Sequence, residues 1–390
     1  MKIALKELGT IITGNTPSKS ETRYWDSDDI CFVKPDIISE DGITDLYRSN
    51  EHISEYARYK ARIVTKDSLF VTCIGSIGKI GLVSSDEMAF NQQINAIIPN
   101  EKILPRYLAY SLLRNQSRLQ AIANAPVVPI INKTQFGDFL INYNPDKEKQ
   151  SAIVKILDSV DNIIKIKKRV MKAFDDLIKA RFVEMFGDLY LNTFKWDMKT
   201  IGELCTEIKS GLSRKLSNSD IGLPVIRSTN MINGELNTDD IKFWYVKDPQ
   251  GACTDNYVLN DGDILVNFIN SIAHIGKVCI FKDIGRPCIY TTNILRMQLN
   301  ESCNKYFFKY FTQTDCYTHQ LKRIIQPAVN QASFTTVNYK KILIPLPPVE
   351  LQKTFEDFVT QVDKSKVVYL KAARKYHKQS KVVEMKMSQC

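Results

Sequence analysis

The stretch Asp146-KEKQSAIVKILDSVDNIIKIKKRVMKAFDDLIKARFVEM-Phe186 contains neither Gly nor Pro across some forty residues. It follows Asn144-Pro145 and stops at Gly187, the pattern of a helix with a Pro-marked start and a Gly stop. Ile153, Leu157, Val160, Ile164, Lys167, Met171, Phe174 and Ile178 are spaced by alternating steps of four and three. All but one are apolar. That is the narrow seam of a coiled coil and not the broad stripe of a globular helix.

Residues 349–390 form a second such stretch, again without Gly or Pro. Phe355, Val359, Val362, Lys366, Tyr369, Ala373, Tyr376, Ser380 and Val383 repeat the spacing. Adding 202 to a seam position of the first run lands on the seam of the second. A helix of forty residues is a rod of about 60 Å, and a lone rod with an apolar seam needs a partner. The shared register makes the other helix of the same chain the expected partner, in an antiparallel pair; the alternative is a coiled coil of two separate chains. Runs such as Lys165–Arg169, and Lys364, Lys366, Lys371, Arg374, Lys375, Lys378 and Lys381, give outward faces that are basic. They serve as a solvated surface or as a dock for phosphate or an acidic partner helix.

The segments ahead of the two helices match as well. Lys2–Gly14 and Lys199–Gly211 share Glu-Leu, a later Ile and a closing Gly. Phe32-Val33-Lys34-Pro35-Asp36 corresponds to Val225-Ile226-Arg227-Ser228-Thr229-Asn230. Ser76-Ile77-Gly78-Lys79-Ile80-Gly81-Leu82-Val83 aligns with Ser271-Ile272-Ala273-His274-Ile275-Gly276-Lys277-Val278, and Phe90–Ile94 with Tyr290–Ile294. Each copy then has a helical stretch, Tyr107 to Leu119 and Phe307 to Leu321, a short returning strand, and its long helix. The repeat of about 200 residues is a duplicated domain plus helix, far beyond solenoid periods.

The expected fold class is therefore α+β. Two tandem duplicated domains, mixing short strands with a helix, are separated by an intramolecular antiparallel two-helix coiled coil with pseudo-twofold symmetry. The boundaries are 1–145, a first long helix 146–187, 188–347, and a second long helix 348–390, with 188–197 as a hinge.

A net charge of +10 and a pI near 9.0 point to a polyanion, either nucleic acid or an acidic membrane surface. No run of apolar residues is long enough for a membrane span, and the N-terminus lacks a signal-peptide core. The nine cysteines are scattered with no Cys-x-x-Cys pair, which fits free thiols in a reducing cytoplasm better than disulfides or zinc. The four histidines are isolated, so no metal site is expected. Gly75–Gly81 lacks the Gly-Lys-Ser/Thr ending of a phosphate loop and reads as a tight strand-to-strand turn. No Asn/Asp/Ser-Pro-Pro-aromatic methyltransferase loop is found, and no carboxylate–Lys nuclease set. The chain reads as a binder, with an unrecognised DNA methyltransferase or nuclease and a protein-binding adaptor as the rival readings.

Polar residues recur in matching loops. In the first copy they are Thr16, Ser18, Lys19, Lys34, Ser76, Lys79, Asn91, Gln92 and Gln93. In the second they are Arg214, Lys215, Arg227, Ser228, Thr229, Asn230, Asn270, Ser271, His274 and Asn293. Arg and Lys suit guanine edges, Asn and Gln suit adenine edges, and hydroxyls suit either. These are the candidate contacts to double-stranded DNA.

Ile12-Thr-Gly-Asn-Thr-Pro-Ser-Lys19 with Tyr24-Trp25, Val33–Asp36, Ser76–Gly81 and Asn91-Gln92-Gln93-Ile94-Asn95 resemble the target-recognition domain of type I restriction–modification specificity subunits. The likeness extends to Glu148-Lys149-Gln150 and Glu350-Leu351-Gln352, where the long helices begin. The second copy departs from the pattern, with Gly211-Leu212-Ser213-Arg214 at the opening and no Asn-Gln-Gln run. The resemblance implies a non-catalytic subunit of the bacterial or archaeal cytoplasm that reads a split DNA target, one half per domain, with the helices fixing the gap. It implies two modification subunits that use S-adenosylmethionine to methylate adenine, and restriction/translocase subunits that use ATP and Mg. No cofactor would lie in this chain.

Overall fold

The computed structural model describes residues 2–123, 128–232, 234–328 and 331–387, with side chains up to residue 371. The chain divides into two compact units, Met1–Lys167 and Lys168–Cys390. The first long helix, Lys147–Phe186, is continuous across that division, and the second runs Val349–Met387.

The first unit is built on a five-stranded sheet in the order Gly9–Thr13, Ile94–Pro99, Leu69–Thr72, Ile80–Val83, Ile43–Leu46. Its central strands are apolar at nearly every position because both faces are covered. Side chains alternate between faces along a strand. Leu69, Val71, Ile80, Leu82 and Ile97 therefore meet Leu108, Ala109 and Leu112 of the helix Pro105–Arg114. Phe70, Val83, Ile94 and Ala96 face the other way, onto Val33, Val64, Met88 and Phe90 of a second, four-stranded sheet. Phe70 and Phe90 hold the two sheets together with ring centroids 4.6 Å apart.

The second unit repeats this plan. Its main sheet runs Cys205–Ser210, Ile294–Leu299, Ile264–Asn267, Val278–Ile280. Ile264, Val266, Val278, Ile280, Leu295 and Met297 meet Phe307, Phe308 and Phe311 of the helix Lys305–Phe311. Leu265, Cys279 and Ile294 face Ile226 and Tyr290 of a three-stranded sheet, in the order Lys242–Tyr245, Gly222–Ile226, Ile289–Tyr290. The duplication expected from the sequence is present at the level of strand order and core alternation.

One stretch pairs differently from the sequence alignment. Val71 stands opposite Ile80 in the first unit, and Val266 opposite Val278 in the second. The turns between are then closed by Gly78, whose N–H donates to Thr72 O (2.8 Å), and by Gly276, whose N–H donates to Asn267 O (2.6 Å). Both glycines have positive φ. Ile77-Gly78-Lys79 thus corresponds to Ile275-Gly276-Lys277, and the second unit has extra residues ahead of its turn. The Ser-Ile dipeptides at 76 and 271 disguised that insertion.

Each long helix is fixed to its own unit by a buried glutamine. Gln150 Oε1 accepts from Leu104 N (2.8 Å), and its Nε2 donates to Lys102 O (3.1 Å) and Asn144 O (2.7 Å). Gln352 Oε1 accepts from Asn304 N (2.7 Å), and its Nε2 donates to Ser302 O (3.1 Å) and Pro347 O (2.8 Å). Arg106 adds an ion pair to Asp158, about two turns further along the first helix, at 2.8 Å.

Within the second unit the two helices pack antiparallel. Phe355 lies 5.3 Å from Phe182 and 5.4 Å from Phe186, ring to ring, while Lys366 pairs with Asp175 at 2.9 Å. One helix thus ascends as the other descends. Of the expected seam, Ile178, Phe355, Val359 and Val362 are buried, and Leu157, Val160, Met171, Phe174 and Tyr369 half-buried. Ile153 and Ile164 are 38% and 47% exposed. In that part of the helix the hold on the unit is polar, through Gln150 and Asp158. The side chains of Ala373 and Tyr376 lie outside the described residues. Lys366 is drawn between Asp175 and Asp363 and belongs to the helix interface, not to an outward basic face. Residues 188–197 form a packed corner and not a hinge: Leu189 is in the core, and the Trp196 indole donates to Phe186 O at 2.9 Å.

Candidate nucleic-acid interface

The ladder registers bring the candidate loops of each unit to one edge. Gly9–Thr13 ends where Ile94–Pro99 begins and where Leu69–Thr72 ends, because the three are antiparallel neighbours. Ile30–Val33 and Glu87–Phe90 run parallel and finish at the same place: Asn91 N donates to Val33 O and Asn15 N to Phe90 O, each at 3.1 Å. Gly14 permits this closure, since a Cβ there would stand 2.2 Å from Asn91 O. In the second unit Thr291 N donates to Ile226 O (3.0 Å) and Leu212 N to Tyr290 O (2.8 Å). Gly211 has the same constraint, 2.1 Å from Tyr290 O.

On the first edge Thr16 Oγ1 donates to Gln92 Oε1 at 2.7 Å, and Ser18 is exposed. Lys34 pairs with Glu51, and Lys19 lies 3.9 Å from the same residue and 5.5 Å from the Trp25 ring centroid. Asn91 is buried and bonded to Gln93 through both its side-chain oxygen and its amide. Ser76 and Lys79 line a cleft of about 570 Å³ with Glu40 and Gln116, with Lys79 3.5 Å from Glu40.

On the second edge Arg214 is not a free reader. It chelates Asp248, which also accepts from Trp244 Nε1 (3.3 Å), Gln250 N (3.1 Å) and Ala252 N (3.0 Å). The guanidinium beside it and the backbone donors hold the Asp248 carboxyl well below the usual carboxylate range. This is a corner clamp. Asn230 is equally committed: its Nδ2 donates to Asn237 O and Asp240 O, each at 3.0 Å, and its Oδ1 accepts from Arg227 N. Arg227 reaches Asp240 at 2.7 Å. Lys215, Thr229, Ser271 and His274 are exposed; Ser228, Asn270 and Asn293 are half-buried.

Sequence reasoning missed two groups. Lys277 is the structural counterpart of Lys79, hidden by the misplaced insertion, and lies 3.4 Å from His274 Nδ1. The segment Glu55–Arg62 carries exposed Tyr56 and Tyr59 among basic residues against the first edge. Its interleaving of Tyr, Arg and Lys was a visible signal. Among the described residues no cluster of His, Cys, Asp or Glu suits a metal ion, and no helix is long and apolar enough to cross a membrane.

The family model described as "Type I restriction modification DNA specificity domain" matches residues 1–173 and 194–375. The chain belongs to that family. The MjaVIII specificity subunit of Methanocaldococcus jannaschii is 25% identical over 331 residues, covering 78% of this chain and 74% of the relative. MjaX from the same organism is 31% identical over 175 residues, 43% of this chain but 39% of its own length. A crystal structure of the type I restriction–modification S subunit from M. genitalium superposes with a TM-score of 0.55 at 15% identity, over 98% of this chain and 94% of that one.

Proposed function

We propose that this chain reads one DNA target in two parts, one with each unit, and supplies sequence specificity without catalysing a reaction itself. The observation that carries this reading is the doubled edge. Both units bring the same strand ends together, yet dress them differently: Thr16, Lys34 and Gln92 in one, Lys215, Thr229 and Asn293 in the other. One scaffold with two side-chain sets on a single polypeptide suits an asymmetric bipartite site, whereas two copies of one set would suit a palindrome. The net charge of +10 supplies the attraction to phosphate.

The partners follow from the family. Modification subunits would bring S-adenosylmethionine and methylate adenine, and restriction subunits would bring ATP and Mg. The long helices would set the gap between the two half-sites and offer the surface on which those subunits assemble. Seven residues inserted into each long helix lengthen it by about 10 Å, or about three base pairs of duplex. Mapping methylated adenines in DNA modified by the variant complex should show the same two half-sites at a wider gap. Altered half-sites with the old gap would exclude the spacer role.

A further inference from the structure

Glu55–Lys60 is a turn of 3-10 helix, in which residues three apart stack on one face. Tyr56 and Tyr59 form that outward stripe, 73% and 92% exposed. The opposite side is anchored. Ala57 is fully buried, and Arg58 reaches inward to Glu87 through Nη1 (2.9 Å) and Nη2 (2.6 Å) and to Glu55 through Nη2 (3.0 Å). Arg58 thereby engages Glu55 of the turn and Glu87 of the neighbouring strand, while Lys60 and Arg62 remain exposed. Asn15 then ties this turn to the reading edge. Its Nδ2 donates to Lys60 O (2.6 Å), its Oδ1 accepts from Arg62 N (2.7 Å), and its own N–H donates to Phe90 O (3.1 Å). Tyrosines on a rigid turn give large contact area at little entropic cost, and two of them exposed side by side mark a contact surface.

We infer that Tyr56, Tyr59, Lys60 and Arg62 form a second DNA-contacting element of the first unit, in which the two rings pack against the duplex and the two cations take phosphates beside the loop Gly14–Lys19. The assignment rests on the DNA-reading function proposed above. Positive charge and the link through Asn15 select a nucleic-acid occupant over a neutral protein surface. Among the described residues the second unit has no such stripe of tyrosines at the matching place. The 3-10 turn Thr254–Tyr257 of the second unit has its Tyr257 half-buried under Lys209, 4.9 Å from the ring centroid.

The test uses the full chain assembled with its modification subunits and a duplex carrying the motif mapped from methylated adenines. Tyr59→Ala should weaken binding about tenfold, with Tyr59→Phe close to the parent. Lys60→Gln and Arg62→Gln should each lower the slope of log affinity against log salt by about one. Tyr59 is too exposed for its loss to unfold the unit, and unchanged circular dichroism would verify this. If the parent complex binds the duplex with steep salt dependence and the variants bind identically, this element is wrong and the wider reading stands. If the parent complex shows no salt-dependent binding, both fall.

Discussion

Phe355→Ala destabilises the second unit by about 3–5 kcal/mol, the range for removing a fully buried phenylalanine. Phe355 has no exposed surface. Its ring sits 5.3 Å from Phe182, 5.4 Å from Phe186 and 5.4 Å from Tyr310, all at steep interplanar angles. Truncation would leave a void among three rings that cannot close in, because Phe182 and Phe186 share one helix and Phe307 backs them at 5.7 and 5.0 Å. In a unit of this size the thermal midpoint should fall by roughly 10 °C, read by calorimetry. Phe355→Leu should recover more than half of the loss, because it refills most of the void. A change under about 1 kcal/mol would mean that the cluster does not hold the two helices together.

Gln150→Ala and Gln352→Ala should each cost about 2–4 kcal/mol, although each removes only one side chain. The amide satisfies three backbone groups at once: one N–H and two carbonyls, at 2.7–3.1 Å in both units. Without it the N–H of Leu104 or Asn304 is left unpaired beside the first turn of a long helix. Hydrogen exchange at those two amides is the specific readout, since it reports the clamp and not general stability. Exchange should quicken selectively in the unit that carries the substitution. Glutamate is a sharper variant, because a carboxylate keeps the acceptor but faces two carbonyl oxygens with no proton to give. It should be at least as damaging as alanine near neutral pH. A harmless Gln352→Glu would contradict the clamp.

These two devices bracket what was legible in the chain. The long helices announce themselves through spacing and the absence of Gly and Pro, and Gln150 and Gln352 mark the register of their entries. The fold class could be read because the apolar runs in Leu69–Thr72 and Ile264–Asn267, bounded by turn residues, need only local pattern. The turn insertion was not legible, because Ser-Ile at 76 and at 271 matches by chance while the positive-φ glycines, 78 and 276, fix the real register. The candidate site was half legible. Loop position follows from strand order, so the sequence could say which loops share an edge. Whether a side chain is free to read DNA depends on partners distant in sequence, and nothing local to Arg214 foretells Asp248, nor anything local to Asn230 the carbonyls of Asn237 and Asp240. The fold engages those residues itself. Exposed Tyr59 is the converse: the interleaving of Tyr, Arg and Lys around it was visible in the sequence, but the tie of its turn to the edge, from Asn15 to Lys60 O, is set only in three dimensions.

In the proposed function each unit reads its own half of one site. Its most direct test replaces residues 188–347 with the corresponding segment of another specificity subunit and maps methylated adenines in DNA modified by the resulting complex. One half-site should change to that of the donor, while the other half and the gap stay as they were. A motif that is unchanged, or one that changes in both halves, would exclude one half-site per unit.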